Sequence, residues 1–417
     1  MFKRLGIGLV VGLVVLAISA PAEETHNKLT KEEIADGWIL LFDGETLFGW
    51  QAENPKLEKM WMAKDGTITC DTSAPFNHLK SHAAFGDFIL KLDFKVIAKG
   101  NSGIFFRGVP KGGYFVGPLG ISGYEAQIDD NDPRGLLYQT GGLYDVAPAT
   151  KLIKGEEQWR SYEIMADGEH ITTKVNGELV CDTTQKKFRF GHIGLQHHNP
   201  GSKIEFRNVK LKPLGLKSIF NGKDLSGWKV VSRDPDPSKL QASWVVKDGE
   251  IHVDVPKKEG IKAGGQGQLE TEESYKDFVL QMDIRVNGKF FNSGVFFRSL
   301  PDTTWVGYES QIRNQYMGKR DRPIDFGTGG IYNLKPTRLV ATDDNVYFKK
   351  TIVVHGKQFS VWLDGYQVTD FADTRKDDPN PRNGYYSGPG KIALQSHDPT
   401  TNLDFKNIQI AEFPTGK

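Results

Sequence analysis

Cysteine is nearly absent from this 417-residue chain, which carries two, Cys70 and Cys181. Two thiols cannot by themselves build a structural zinc site, and they fix no spacing from which a disulfide framework could be read. An oxidising compartment would permit a bridge between them, and two buried free thiols fit equally well. Charge of one sign is missing too: 53 Lys and Arg face 52 Asp and Glu, for a net charge of +1. With no long basic run, the electrostatic footprint of phosphate-backbone binding is absent and no nucleic-acid partner is expected. Past the N-terminus no apolar run approaches the ~18 residues of a membrane-spanning helix.

Glycine and phenylalanine, by contrast, are plentiful, at 46 and 25 residues. Glycine near one residue in nine, against about 7% in ordinary chains, points to many tight turns between short strands. The length exceeds one ordinary domain and predicts two. At the N-terminus, Lys3 and Arg4 precede the apolar stretch Leu5 to Ala17, and Ala20 and Ala22 place small residues at a cleavage site. This reads as a signal peptide over residues 1–22, with a mature start at Glu23. No Cys sits there to carry a lipid. The expectation is a periplasmic or secreted protein with no membrane association after cleavage.

The remainder is one module written twice. FDGETLFGW, WMAKDGTI, NSGIFFR, GYEAQI, TGGLY and GHIGLQHHNP recur in the same order as FNGKDLSGW, WVVKDGEI, NSGVFFR, GYESQI, TGGIY and GKIALQSHDP. Residues 23–36 form an N-terminal segment with a short helix, signalled by Thr30 and Glu33 as a capping box. Residues 37–214 form the first unit and 215–417 the second. The linking stretch Lys212 to Lys217 is short and carries Pro213 and Gly215, so the units should pack together. Within each unit the apolar period is two, as in Phe88, Leu90, Leu92, Phe94 and Val96, and Asp-Gly and Asn-Gly pairs mark hairpins. The predicted fold is all-β: two tandem jelly-roll sandwiches of antiparallel sheets.

Strand parity then selects candidate site residues. In NSGIFFR, Arg107 shares a face with Asn101, Gly103 and Phe105; in GYEAQI, Glu125, Gln127 and Asp129 share one; in GLQHH, Gln196 and His198 do. Neighbouring strands would join Arg107, Glu125, Gln127, Gln196 and His198 in one polar patch, repeated as Arg298, Glu309, Gln311, Gln395 and His397. A plain cross-strand ion pair explains an Arg and a Glu equally well. The paired glycines of TGGLY and TGGIY suit a bend that presents Tyr144 or Tyr332, and Tyr114, Trp305, Tyr385 and Tyr386 lie in loops where they could stack on sugars. The ExDxxE strand of laminarinase-type sandwich hydrolases is missing, as are HExxH and GxSxG. Glu125 and Asp129 would stand about 13 Å apart along a strand, too far for the carboxylate pair of ordinary glycoside hydrolysis.

The ordered set FDGxxLxGW, NSGIFFR, GYExQI, TGGxY and GxIxLQxH, closing on FRNVKLKPL, resembles the 3-keto-disaccharide hydrolase domain family across essentially the whole mature chain. That resemblance implies a concanavalin/laminin G-like sandwich and cleavage of glycosides already oxidised at C3, by hydrolysis or lyase chemistry. A ketone at C3 acidifies the C2 proton, and the aglycone oxygen on C1 lies β to it, so elimination followed by hydration gives net hydrolysis. This path needs one base near C2 and one electrophile at the enolate oxygen. The implied assignment makes His198 or Glu125 the base and Arg107 the enolate clamp. Gln127, Gln196 and Tyr144 would orient the sugar, with Arg298, Glu309, Gln311, Gln395, His397 and Tyr332 as the second substrate-binding set. No cofactor is required, although a divalent metal on Glu125, Asp129 and His198 would also stabilise an enolate. The partner is a neutral 3-keto carbohydrate. Asp129, Asp130 and His197 become Arg313, Asn314 and Ser396 in the second unit, which favours the first as the working site. The competing readings are a noncatalytic carbohydrate-binding sandwich and a surface scaffold.

Overall fold

A computed structural model of the chain describes residues 26–97, 100–109, 115–117, 120–236, 239–256, 266–397 and 399–414. The expected signal peptide and Tyr114 lie outside the described residues. Strand dominates, at 48% against 3% helix, and the strands of the large sheets alternate with period two. Along Phe88–Ile97, for example, each of Phe88, Leu90, Leu92, Phe94 and Val96 is buried while the intervening residues are half-exposed.

Each unit stacks two antiparallel sheets. In the first, a five-stranded sheet contains β1 (Trp50–Ala52), β2 (Asn77–Phe85), β3 (Ser102–Gly108), β4 (Tyr124–Ile128) and β5 (Gly191–His197), in the order β4-β3-β5-β2-β1. It packs on an eight-stranded sheet centred on Phe88–Ile97 and Lys203–Pro213. The second unit repeats this with β6 (Trp228–Ser232), β7 (Gly267–Thr271), β8 (Ser293–Ser299), β9 (Tyr308–Ile312) and β10 (Lys391–Ser396), in the order β6-β7-β10-β8-β9. Leu79, Ile104, Ala126 and Leu195 point into the first core; their counterparts Leu269, Val295 and Leu394 point into the second. The architecture is the pair of tandem antiparallel β-sandwiches expected from the sequence.

The units are packed against one another. Trp362 donates Nε1–H to the Leu40 carbonyl at 2.8 Å, Gln281 Nε2 donates to the Gly37 carbonyl at 2.8 Å, and Arg338 pairs with Asp43 at 2.9 Å. Trp362, Val279, Val353 and Phe413 of the second unit belong to the hydrophobic cluster of the first. The short helix α1 (Lys31–Ala35) opens with a capping box formed by Thr30 and Glu33 and is tied to the first unit by Lys210 on Glu33 and Lys212 on Asp36. Both cysteines are reduced and buried. Cys70 and Cys181 lie on strands Thr67–Cys70 and Glu178–Thr184 of the same sheet. Five strand spacings separate them in its order, about 24 Å, so no bridge can form. Among the described residues no helix is long and apolar enough to cross a membrane.

Candidate functional site

Glu125 pairs with Phe105 across β4 and β3, and Gln127 with Gly103, so all four side-chain positions face outward from the core. The absence of a side chain at Gly103 matters here: a Cβ built on it would collide with Oε1 of Glu125. Glycine lets the carboxyl cross over β3 and meet Gln196 on β5, whose Nε2 donates to Glu125 Oε1 at 3.0 Å. Gly294 gives Glu309 the same clearance in the second unit. The NSG motif thus has a steric reason, and the two copies share it.

Around this carboxyl lies a cavity of about 160 Å³ lined by Phe76, Asn101, Glu125, Gln127, Arg134, Tyr144, Gln196 and His198. Its volume equals that of about five waters, and it opens to solvent on one side. Glu125 is almost wholly buried, and desolvation pushes its carboxyl up to about 8 against the pull of the Gln196 hydrogen bond. Three buried amide oxygens of the lining, Asn101 Oδ1, Gln127 Oε1 and Gln196 Oε1, have no donor among the described residues. Buried acceptors left unpaired are costly, and here they surround a space that a hydroxylated ligand would fill. The TGGLY bend brings Tyr144 in by a backbone hydrogen bond from Tyr144 N–H to the Glu125 carbonyl at 2.9 Å. Arg134 stands beside it, Nη1 at 3.4 Å from the Tyr144 hydroxyl, its plane fixed by Asp132 and by the Tyr138 ring 3.8 Å away. His198, half-buried at the end of β5, packs edge-on to Phe76 with centroids 5.7 Å apart.

Of the expected first-unit residues, Glu125, Gln127, Gln196, Tyr144 and His198 therefore converge. Arg107 does not, and this corrects the parity argument. Arg107 has φ of +51° beside a register shift between β5 and β3, so its side chain turns to the opposite side of the strand. There it is fully buried, with Nε on the Gly86 carbonyl, Nη1 on the Gly168 carbonyl and Nη2 on Asp87 at 2.6 Å and the Ala166 carbonyl. Every nitrogen is committed to holding the two sheets together. Arg298 (φ +46°) repeats the arrangement on Asp277 and the Lys276, Gly356 and Tyr386 carbonyls. The expected metal trio is likewise not assembled: among the described residues no three His, Cys, Asp or Glu are grouped to hold an ion. Asp129 instead accepts from Asn101 Nδ2 at 3.1 Å, and Asp130 is buried against Arg160 at 2.9 Å.

Sequence reasoning missed Phe76 and Arg134, and named Asn101 only as a neighbour on its strand. Asn101 carried a signal, since it opens the repeated NSG motif; Phe76 and Arg134 lie in loops without periodicity.

The second unit differs. Arg382 reaches over Glu309, Nη2 to Oε2 at 3.2 Å, and lies 5.8 Å from the Tyr332 ring. Burial raises the Glu309 carboxyl while Arg382 draws it down. Gln311 Oε1 accepts from the Ile312 N–H, whereas Gln395 Oε1 stays unpartnered. Trp305 stacks on His397 with centroids 5.4 Å apart and an interplanar angle of 6°, and Arg233 lies 4.3 Å from its ring. Trp305 and the buried Tyr385 are engaged within the protein rather than presented as bare sugar platforms.

The model of the 3-keto-alpha-glucoside-1,2-lyase-like domain matches residues 37–212 and again 215–411. A 3-keto-disaccharide hydrolase of Bacteroides thetaiotaomicron is 28% identical over 43% of this chain and 79% of its own length. A solved protein of Parabacteroides distasonis assigned as a glycosyl hydrolase is 24% identical, with a TM-score of 0.40, over 46% of this chain and 100% of its own. The carbohydrate-binding module CBM66 of Bacillus subtilis is 17% identical, with a TM-score of 0.28, over 45% of this chain and 96% of its own. The chain belongs to the 3-keto-alpha-glucoside-1,2-lyase-like family, and carries its domain twice.

Proposed function

We propose that the first unit cleaves 3-keto-glycosides by elimination at C1–C2 followed by hydration, with Glu125 as the base. The observation that carries this reading is a nearly neutral-range carboxyl, pushed up to about 8 by burial, at the floor of a cavity ringed by unpaired amide oxygens. A base poised near the working pH matches abstraction of a proton acidified by a ketone. Glu125 takes the C2 proton, the C2–H electron pair becomes the enolate of the C3 ketone, and its collapse forms C1=C2 as the C1–O bond to the aglycone breaks. Water then adds at C1 while Glu125 returns the proton to C2.

Arg134 takes the place first expected of Arg107, as the cation beside the cavity for the enolate oxygen. Asn101, Gln127 and Gln196 accept from sugar hydroxyls, and Tyr144 and His198 form the rim. Such chemistry needs no second carboxylate at the glycosidic bond, in keeping with the missing hydrolase strand motif. The second unit is read as a carbohydrate-binding copy because Arg382 already neutralises Glu309. Export to the periplasm or beyond, with Glu23 as first residue, belongs to the same reading.

The test is to offer the purified protein a 3-keto-glucoside and its unoxidised parent and follow aglycone release. Turnover of the keto sugar alone, lost in Glu125→Gln, is expected. Cleavage of the parent, or binding of both sugars without turnover, would overturn the assignment.

A further inference from the structure

A second acid–base pair lies on the same face of the sheet. His78 of β2 is the direct cross-strand partner of Gln196, so its ring stands next to the side chain that bonds Glu125. It is fully buried, and its Nδ1 lies 2.6 Å from Oε2 of Glu53, itself almost without exposure. Glu53 is oriented in turn by the Phe115 N–H on Oε1. Glu53 follows β1 at the far edge of the sheet, so Nδ1 is taken up on the side away from β5, and the opposite ring nitrogen, Nε2, is left to other neighbours. Among the described residues that Nε2 has no partner. Phe76, Phe105 and Phe115 pack edge-on around the ring at 4.9, 4.6 and 5.7 Å; of the three only Phe76 lines the cavity, where it also meets His198 at 5.7 Å and is 42% exposed.

The fold itself does not require this pair. In the second unit Gln395 pairs with Gln268 and Val231 lies opposite Gln268, so Gln268 and Val231 occupy the places of His78 and Glu53. Gln268 satisfies both ends of its amide, accepting from Trp305 N–H and donating to Glu270 and the Thr303 carbonyl. A residue that closes its hydrogen bonds is thus compatible with the sheet, and the first unit holds instead a histidine with one nitrogen left open beside a buried carboxylate. His198 lacks such a partner: its Nδ1 meets the neutral amide of Asn199.

We infer that His78, held by Glu53, is the proton donor to the departing aglycone, reached when the exposed Phe76 ring turns aside. The inference rests on the elimination reading of the first unit. As the C1–O bond breaks, its electron pair takes the Nε2 proton of the His78 imidazolium, leaving neutral imidazole with Nδ1–H on Glu53. In the hydration step neutral His78 accepts a proton from the water that adds at C1, while Glu125 protonates C2, and both groups return to their starting states. Glu53 acts through His78 and is a positioning residue.

Two 3-keto-glucosides that differ in leaving group, the methyl and the 4-nitrophenyl, separate the outcomes, with thermal unfolding of each variant as the control for folding. His78→Gln, which installs the residue of the second unit, should slow the methyl glucoside by about 10²–10⁴-fold and the nitrophenyl glucoside, whose anion needs no proton, by less than about tenfold. Glu53→Gln should show the same leaving-group bias in weaker form, and it serves as the second variant if His78→Gln does not fold. Equal loss on both substrates, no loss on either, or a leaving-group bias found in His198→Gln instead would overturn the inference. If the wild type turns over neither keto sugar, the elimination reading fails first, and that result is distinct from the others.

Discussion

The amide of Gln196 donates to Oε1 of Glu125 at 3.0 Å, across a strand where a side chain at Gly103 would collide with that oxygen. Gly103→Ala should therefore act as a carboxylate mutation without touching the carboxylate. Displacing a reacting group by about 1 Å can cost ~10²-fold in rate. A loss of that order in kcat/KM on a 3-keto-glucoside, with the fold retained by circular dichroism, is the expected result.

Glu125 also sets a pH dependence of opposite sign for rate and for stability. Its ionised form is the base, so kcat/KM should rise with pH and level off near 8, where burial places the carboxyl. For stability, the folded-state value exceeds that of the unfolded chain, so the unfolded chain releases its proton first and stability falls as pH climbs from about 4.5 to about 8. Glu125→Gln removes this loss. Chemical denaturation across that range should find the variant increasingly more stable than wild type toward pH 8, by a few kcal/mol at about 1.4 kcal/mol per unit, and inactive throughout.

Arg107→Lys should damage stability rather than chemistry. Lysine cannot reproduce the forked contacts with Asp87 and three carbonyls, and breaking a buried pair costs about 3 kcal/mol. Urea unfolding should register that loss, while turnover per folded molecule, at a temperature where the variant is native, stays within about twofold, well below the 10²-fold or greater loss expected for a catalytic group.

The two units predict different responses to the same substitution. Glu309→Gln should leave most turnover intact because Arg382 already covers that carboxylate, whereas Glu125→Gln abolishes it. An assay of the two single variants side by side decides which unit works; loss of turnover in Glu309→Gln would reassign the site.

Much of this was legible in the sequence, and the failures share physical causes. A period of two assigned the strands, and parity placed Glu125, Gln127 and Gln196 on one face without any knowledge of pairing. Parity holds only while the backbone stays extended. Arg107 and Arg298 sit at positive φ, where the alternation reverses, and a non-glycine residue gives no local sign of that. The Glu53–His78 pair was missed for another reason. The residues are 25 positions apart and become neighbours only through the order of the strands, although aligning the two copies would have shown a histidine and a glutamate facing a glutamine and a valine.

The carbonyls of Gly37 and Leu40, at the threshold of the first unit, are capped by Gln281 and Trp362 of the second. Separating the two units would leave these acceptors and the apolar surface beneath Trp362 open to water. The second unit thereby shields polar and apolar surface of its neighbour. Residues at the shared seam therefore answer to the stability of both units, a constraint that side chains on the outward face of β8 and β9 do not carry.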